Sequence, residues 1–382
     1  MFEDILNPVD DNLLKLSNLL PEQVIGKNIF INSKSLGFPD IKDISIAIIG
    51  INEYRNSSFG SSKYQIDKFR VEFYSLFIGN WNFKIADLGD LPNGKEIEDT
   101  YFMVNKISID LRKLNIVPIF IGGSQDLTSS IYKSFEKNNQ WINITSVDNR
   151  FDFSKNEKLI SGDSYMSSII MHKPSYLFSY TNIGYQSYLN SQEEIDLIEK
   201  LFFDCYRLGD VLDNIKITEP VFRESDIVTF DLKCLSAILT GNSKYSSPNG
   251  FDSRSICALS RYAGISDRVS VIGFFELFNF DLFHKLFAQI VWYFIEGFSC
   301  RFGEYPLYTG EGFKKFTVQL SDRDLIFHQS QKSKRWWVEI VIKSYIDNKI
   351  KSNTLLSCMY EDYINACNDK LPERWIKASK RL

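Results

Sequence analysis

An α/β fold built on a parallel sheet is what this 382-residue chain predicts, and three observations carry that reading. Short β-branched runs without polar alternation recur along the chain, the pattern of strands buried on both faces. Helix-length stretches separate them, so the units read as right-handed βαβ crossovers. Several runs end on a carboxylate or on paired glycines, and in such sheets functional groups gather just beyond the carboxyl ends of the strands.

The opening forty residues read as a partly helical lead-in, with Leu13, Leu14, Leu16, Leu19 and Leu20 on one helical stripe. The first strand run is Ile44 to Gly50, and Lys84 to Asp90 is the second. A helical stretch over 94–114 leads to the run Ile116–Ile121, which is followed by Gly122-Gly123 and a second helix over 127–137. The run from Trp141 to Val147 ends at Asp148, that from Asp226 to Phe230 ends at Asp231, and that from Val269 to Phe275 closes at Glu276. Leu286 to Phe298, interrupted by Gln289 and Glu296, reads as a buried helix. From Arg301 the alternation stops, and a charged, aromatic segment reads as a mostly helical C-terminal extension. The expected organisation is a lead-in (1–40), an α/β domain (41–300) and the extension (301–382).

Composition narrows the function classes. Hydrophobic residues at 44% supply a sizeable core, and a formal net charge of -4 gives no basic surface of the kind nucleic acid attracts. The start, Met1-Phe2-Glu3-Asp4, lacks a secretory pattern, and no apolar run reaches the ~20 residues that span a bilayer, so a cytoplasmic protein without membrane insertion is expected. Six scattered cysteines without a CxxC pair, and three histidines, leave little room for a zinc site, a disulfide framework or a Ser–His or Cys–His dyad. Gly122-Gly123 lacks the spacing of a phosphate-cradling loop, and no G-x-S-x-G elbow occurs.

At the strand ends the order of motifs resembles the ureohydrolases: arginase, agmatinase and formimidoylglutamase. That family carries Gly-Gly-Asp-His, then Asp-Ala-His-x-Asp, then Ser-Phe-Asp-x-Asp, then a Pro-Gly-Gly loop and a Glu after the last core strand. Here the corresponding segments are Gly122-Gly123-Ser124-Gln125, Asp148-Asn149-Arg150-Phe151-Asp152, Thr229-Phe230-Asp231-Leu232-Lys233, Pro248-Asn249-Gly250 and Glu276. The resemblance spans about residues 40 to 300. It implies a three-layer α/β/α arginase-like fold with a central parallel sheet of about eight strands. It also implies hydrolysis of a guanidino or formimidoyl C–N bond by a hydroxide bridging two Mn²⁺ ions.

Carried over position by position, the resemblance keeps Asp148, Asp152 and Asp231 as metal ligands and loses three others to Gln125, Arg150 and Lys233. Gln125 is a weak neutral donor, Arg150 has no lone pair to give, and Lys233 is cationic. These six positions therefore read as a vestigial metal site without Mn. Arg150 and Lys233 are expected either to fill the metals' place and neutralise the acids, or to turn to solvent. Tyr165 and Glu276 match the family's substrate pocket. The leading expectation is a catalytically inactive ureohydrolase-like protein, a scaffold or complex subunit that binds protein partners and self-associates. Arg335, Trp336, Trp337, Arg374 and Trp375 are then candidate partner contacts, the alternative being tryptophans that pin the extension to the core. Two other readings stand beside it: a metal-dependent hydrolase with a rearranged, one-ion site on the three aspartates, and a small-ligand sensor using Glu276.

Overall fold

Alternation within each strand divides the apolar side chains between the two faces of one sheet. In the computed structural model, which describes residues 3–58, 64–136, 141–153, 160–304, 311–321, 323–340 and 355–381, nine strands form this sheet: β1 (Phe30–Ile31), β2 (Ile44–Ile51), β3 (Lys84–Leu91), β4 (Val117–Ile121), β5 (Ile142–Val147), β6 (Leu177–Tyr185), β7 (Asp204–Arg207), β8 (Ile227–Asp231) and β9 (Val271–Phe275). Their order is β1-β3-β2-β4-β9-β8-β5-β6-β7, and every pairing is parallel. Ile48, Ile119, Phe230 and Phe274 face one core, while Ile49, Phe120, Ile144 and Phe275 face the other. Burial on both faces explains why these strands read as unbroken apolar runs. Helices cover both sides, the longest being Asp281–Ser299, which packs against Ser253–Ile265.

The sheet has one strand more than the expected eight or so, and three of its strands were not among the runs read from sequence. β1 is two residues long, donated by the lead-in to the sheet edge. β6 buries Ser179, Thr181 and Asn182 in its middle, and this breaks the apolar signal. β7 is a short, half-buried edge. The second predicted helix forms over Leu127–Lys133, and its expected end at Lys137 lies outside the described residues.

The helices expected in the C-terminal extension are Tyr360–Cys367 and Glu373–Arg381. The part in front of them is not helical. It is an antiparallel sheet of β10 (Phe313–Gln319), β11 (Asp324–Ser330), β12 (Trp336–Glu339) and β13 (Leu355–Cys358), in that order. β10 and β11 mix apolar residues with Lys, Gln and Asp, which conceals their period of two, and β12 and β13 are only four residues long.

Arg223, on the helix Glu219–Glu224 of the α/β domain, ties this second sheet down. Its Nη1 donates to the Trp336 carbonyl at 3.0 Å and its Nη2 to the Cys358 carbonyl at 2.8 Å, and its guanidinium lies 4.8 Å from the Trp337 ring. Around it, Glu224 accepts from the Ser357 N–H at 2.7 Å and Arg335 pairs with Glu219 at 3.2 Å. Arg374 donates to the Ser357 carbonyl, and Trp375 Nε1 to the Glu339 carbonyl, each at 2.8 Å. Trp336, Trp337 and Trp375 are buried. Of the five candidate partner contacts, Arg335, Trp336 and Trp337 thus meet the α/β domain, while Arg374 and Trp375 bond within the extension, and the three tryptophans are turned inward.

Arg223→Ala removes two charge-assisted bonds to buried carbonyls. It should cost about 2–3 kcal/mol in denaturant unfolding and sensitise the C-terminal sheet to protease before the α/β domain. An unchanged midpoint and digestion pattern would show that the anchor lies elsewhere.

Candidate functional site

The strand order brings β4, β9, β8 and β5 side by side, so the loops after these four strands converge at one place. This is the point where the chain order departs from the spatial order, the usual position of a site in an open parallel sheet. After β4 the chain turns through Gly122 (φ 93°) and Gly123 (φ 82°). A Cβ on Gly122 would fall 2.6 Å from the Ile51 carbonyl oxygen, which explains the glycine pair as a tight turn. That turn delivers Gln125, whose Nε2 donates to Thr229 Oγ1 (3.2 Å), the Tyr165 hydroxyl (3.3 Å) and Ser146 Oγ (3.4 Å). Its Oε1 is buried without a partner.

Two of the three aspartates are aimed by the same local bond. Asp148 Oδ1 accepts from the N–H of Arg150 at 2.9 Å, and Asp231 Oδ1 accepts from the N–H of Lys233 at 2.8 Å. Such a bond to the backbone two residues on fixes the carboxylate and directs its other oxygen away. Asp152 is held by a left-handed backbone at φ 56°. One carboxylate oxygen from each of the three lies within 4.8 Å of the others, and all three residues are buried. Among the described residues, the Oδ2 atoms of Asp148, Asp152 and Asp231 accept no hydrogen bond.

The two cations part company. Lys233 enters the cluster: its Nζ donates to Asp163 Oδ1 at 2.7 Å and sits 3.1 Å from Asp231 Oδ2, within ion-pair distance though not aligned as a hydrogen bond. Arg150 is exposed, and its guanidinium donates to the Leu189 carbonyl at 3.1 Å. The expectation that both would neutralise the acids is therefore corrected. The Arg150 N–H is committed to Asp148 and its carbonyl accepts from Asn182, so the backbone is fixed while the long side chain reaches water.

Asp163 was passed over at the sequence level, although it stands beside Tyr165. The signal available was its place in the Gly162-Asp163-Ser164-Tyr165 turn. A Cβ on Gly162 would meet Glu276 Oε1 at 2.7 Å, so only glycine lets this turn pack down and present Asp163 to Lys233. Tyr165 is buried beneath, with its hydroxyl near Ser146 and Gln125. Glu276 is fully buried, with Oε2 accepting from Ser57 Oγ at 2.5 Å and Oε1 from the Gln125 N–H at 3.1 Å. Asp126, also missed, accepts from Asn56 at 2.9 Å and from the Tyr101 hydroxyl.

Burial and mutual repulsion set the protonation of the cluster. Burial, with Asp152 and Asp231 close by, pushes the Asp148 carboxyl well up from its ordinary value. Asp152 is pushed up chiefly by burial, against the pull of Lys233. Asp231 is raised by burial to about 7, again with Lys233 opposing. Burial alone would lower the Lys233 ammonium, but Asp231, Glu276 and Asp163 outweigh it and keep the amine charged. Asp163, despite its partial burial, is drawn below the usual carboxylate range by Lys233.

One ammonium cannot neutralise Asp148, Asp152, Asp163 and Asp231 together. The unpartnered oxygens form a hard, all-oxygen donor set, which suits a divalent ion of the Mg²⁺ or Mn²⁺ kind. The residues present fit one such ion. They do not fit two, because Arg150 points away, Lys233 brings positive charge into the cluster, and Gln125 offers at most a neutral carbonyl.

The chain matches no protein-family model, and no curated protein matches it in sequence. Solved structures do match it. The manganese-bound formiminoglutamase of Trypanosoma cruzi is similar with a TM-score of 0.62 at 14% identity, covering 68% of this chain and 95% of that one. The formimidoylglutamase of Bacillus subtilis gives 0.61 at 15%, covering 69% and 91%. The agmatine ureohydrolase of Thermoplasma volcanium gives 0.58 at 18%, covering 76% and 98%. The chain has the ureohydrolase fold that its strand-end motifs imply.

The raised carboxyls make a stability prediction. Asp231 titrates near 7 when folded against an ordinary 3.8, so the folded state binds more protons between those values. Its stabilising contribution is full below about 3.8 and is lost as pH rises through about 7. In chelator, thermal unfolding should fall in temperature between about pH 5 and pH 8. Asp148→Asn, which keeps the acceptor for Arg150 and removes one charge, should raise the value at pH 8 and leave it nearly unchanged at pH 5. A variant less stable than wild type at pH 8 would contradict the charge excess.

Proposed function

We propose that this chain is a ureohydrolase-fold hydrolase whose centre holds one divalent cation on Asp148, Asp152 and Asp231, with Lys233 as a fixed positive charge beside it, and that it acts on the C–N bond of a guanidino or formimidoyl compound. The observation that carries the proposal is the set of three buried carboxylates whose oxygens lie within 4.8 Å of one another, met by a single ammonium, Lys233 Nζ, 3.1 Å from Asp231 Oδ2. An unpaired buried carboxylate is costly, and a bound cation removes that cost.

The chain's own residues divide the work. Asp148, Asp152 and Asp231 would hold the ion, which when bound supplies Lewis acidity and lowers the pKa of water. Lys233, kept protonated by its acidic neighbours, would place a fixed positive charge beside the ion's ligands, where it can stabilise negative charge developing on a bound substrate. The side chain of Asp163 is 48% exposed, the one carboxylate of this group that reaches solvent. Glu276 is committed to Ser57 and to the Gln125 N–H, so it acts as a support beneath the site.

A second reading is favoured by the same residues. Gln125, Arg150 and Lys233 stand where the resembling family has metal ligands, which supports a non-catalytic protein that binds partners or copies of itself. Turnover separates the two. Formimidoylglutamate, agmatine and arginine, each incubated with Mn²⁺ and the purified chain, should show metal-dependent loss of at least one substrate, reduced by about a hundredfold or more in Asp231→Ala. Loss of none of the three, with the ion demonstrably bound, favours the non-catalytic reading.

A further inference from the structure

At the opposite, amino-terminal end of the sheet, where β4 and β9 begin and just ahead of β8, lies a cavity of about 400 Å³ lined by four basic side chains, Arg112, Lys113, Arg268 and Arg301, and two acids, Asp226 and Asp267. The acids are already engaged. Asp226 takes a bidentate pair from Arg268, 2.8 Å at each oxygen, and also accepts from the Asn143 N–H at 2.8 Å. Asp267 accepts from the N–H groups of Gly303 and Glu304, both at 2.9 Å.

Arg112 and Arg301 differ from Arg268 in their partners. Arg301 donates Nε to the Gly264 carbonyl (3.0 Å) and Nη2 to the Val269 carbonyl (2.8 Å). Arg112 lies flat over Phe135, 3.3 Å from the ring centroid, with long contacts from Nη1 to the Ser134 carbonyl (3.3 Å) and Oγ (3.4 Å). Among the described residues, neither guanidinium has an acid within ion-pair distance. Burial lowers both, to about 10 in each case, and outweighs the opposing pull of Asp226 on Arg112 and of Asp267 on Arg301. Neutral carbonyls and an aromatic face fix their orientation, so the charge is pre-organised, and the guanidinium fork suits carboxylate and phosphate oxygens.

We propose that this cavity is an anion-binding site, separate from the aspartate cluster, that takes a small ligand bearing a phosphate or carboxylate group between Arg112 and Arg301, with Lys113 at its rim.

Calorimetric titration of the full chain tests this, in chelator and at constant ionic strength set with chloride, using inorganic phosphate and succinate as separate probes. At least one probe should bind saturably at one site per chain. Phosphate alone would mark a phosphorylated ligand, and succinate alone a carboxylate. Arg112→Gln should weaken that binding about tenfold, the loss expected for one charge-assisted contact. Lys113→Gln, at an exposed position where folding is not at risk, should weaken it a few-fold, and Arg254→Gln, an exposed arginine elsewhere, should leave it unchanged. The proposal is overturned if neither probe gives a saturable isotherm, or if Lys113→Gln and every folded Arg112 variant bind as wild type does.

Discussion

Charge balance among buried carboxylates is the constraint on which this site depends. Topology places the ends of β4, β9, β8 and β5 next to one another, and short backbone bonds lock Asp148 and Asp231 so that they cannot rotate away from Asp152. Negative charge is thereby concentrated where water is scarce, and it has to be met by protons, by a cation or by both. Lys233 meets part of it, and in doing so draws the Gly162 turn and Asp163 over the site. Glu276 and Gln125 then pack beneath, each satisfied largely by its neighbours. A residue set that looks degenerate when ligands are counted one by one is, in space, a cluster with one cation too few.

Much of the α/β architecture was legible because strands buried on both faces leave an unmistakable apolar run. β4 reads from sequence as plainly as it packs. Where burial takes polar residues the signal fades, as in β6, whose Ser179, Thr181 and Asn182 lie inside. The second sheet was illegible for a related reason: Lys314 and Lys315 sit on a strand whose outer face meets solvent, and the aromatic residues around them resemble a helical stripe as readily as a strand. The site positions were readable from motif order, but the direction of a long side chain was not. Arg150 and Lys233 each stand two residues after an aspartate and each lend it a backbone N–H, yet one ammonium turns inward to Asp163 and the other cation outward to Leu189. That difference depends on the partner turn, which sequence spacing does not encode.

The two ends of the sheet carry opposite charge. Carboxylates crowd the carboxyl end around Lys233, while the cavity at the amino end holds Arg112 and Arg301, which among the described residues have no acid within ion-pair distance. The C-terminal sheet is bound to the flank of the same domain through Arg223 and Arg335. Trp337 lies under the Arg223 guanidinium at this junction, and Trp336 and Trp375 pack in the extension's own core.

One divalent ion on the aspartate cluster is the premise on which the proposed chemistry rests. Elemental analysis of the purified chain after dialysis against Mn²⁺ measures it directly. The account predicts about one Mn per chain, falling toward zero in a variant carrying Asp148→Asn and Asp152→Asn together. Near-zero metal in the wild type, or about two ions per chain, would contradict it.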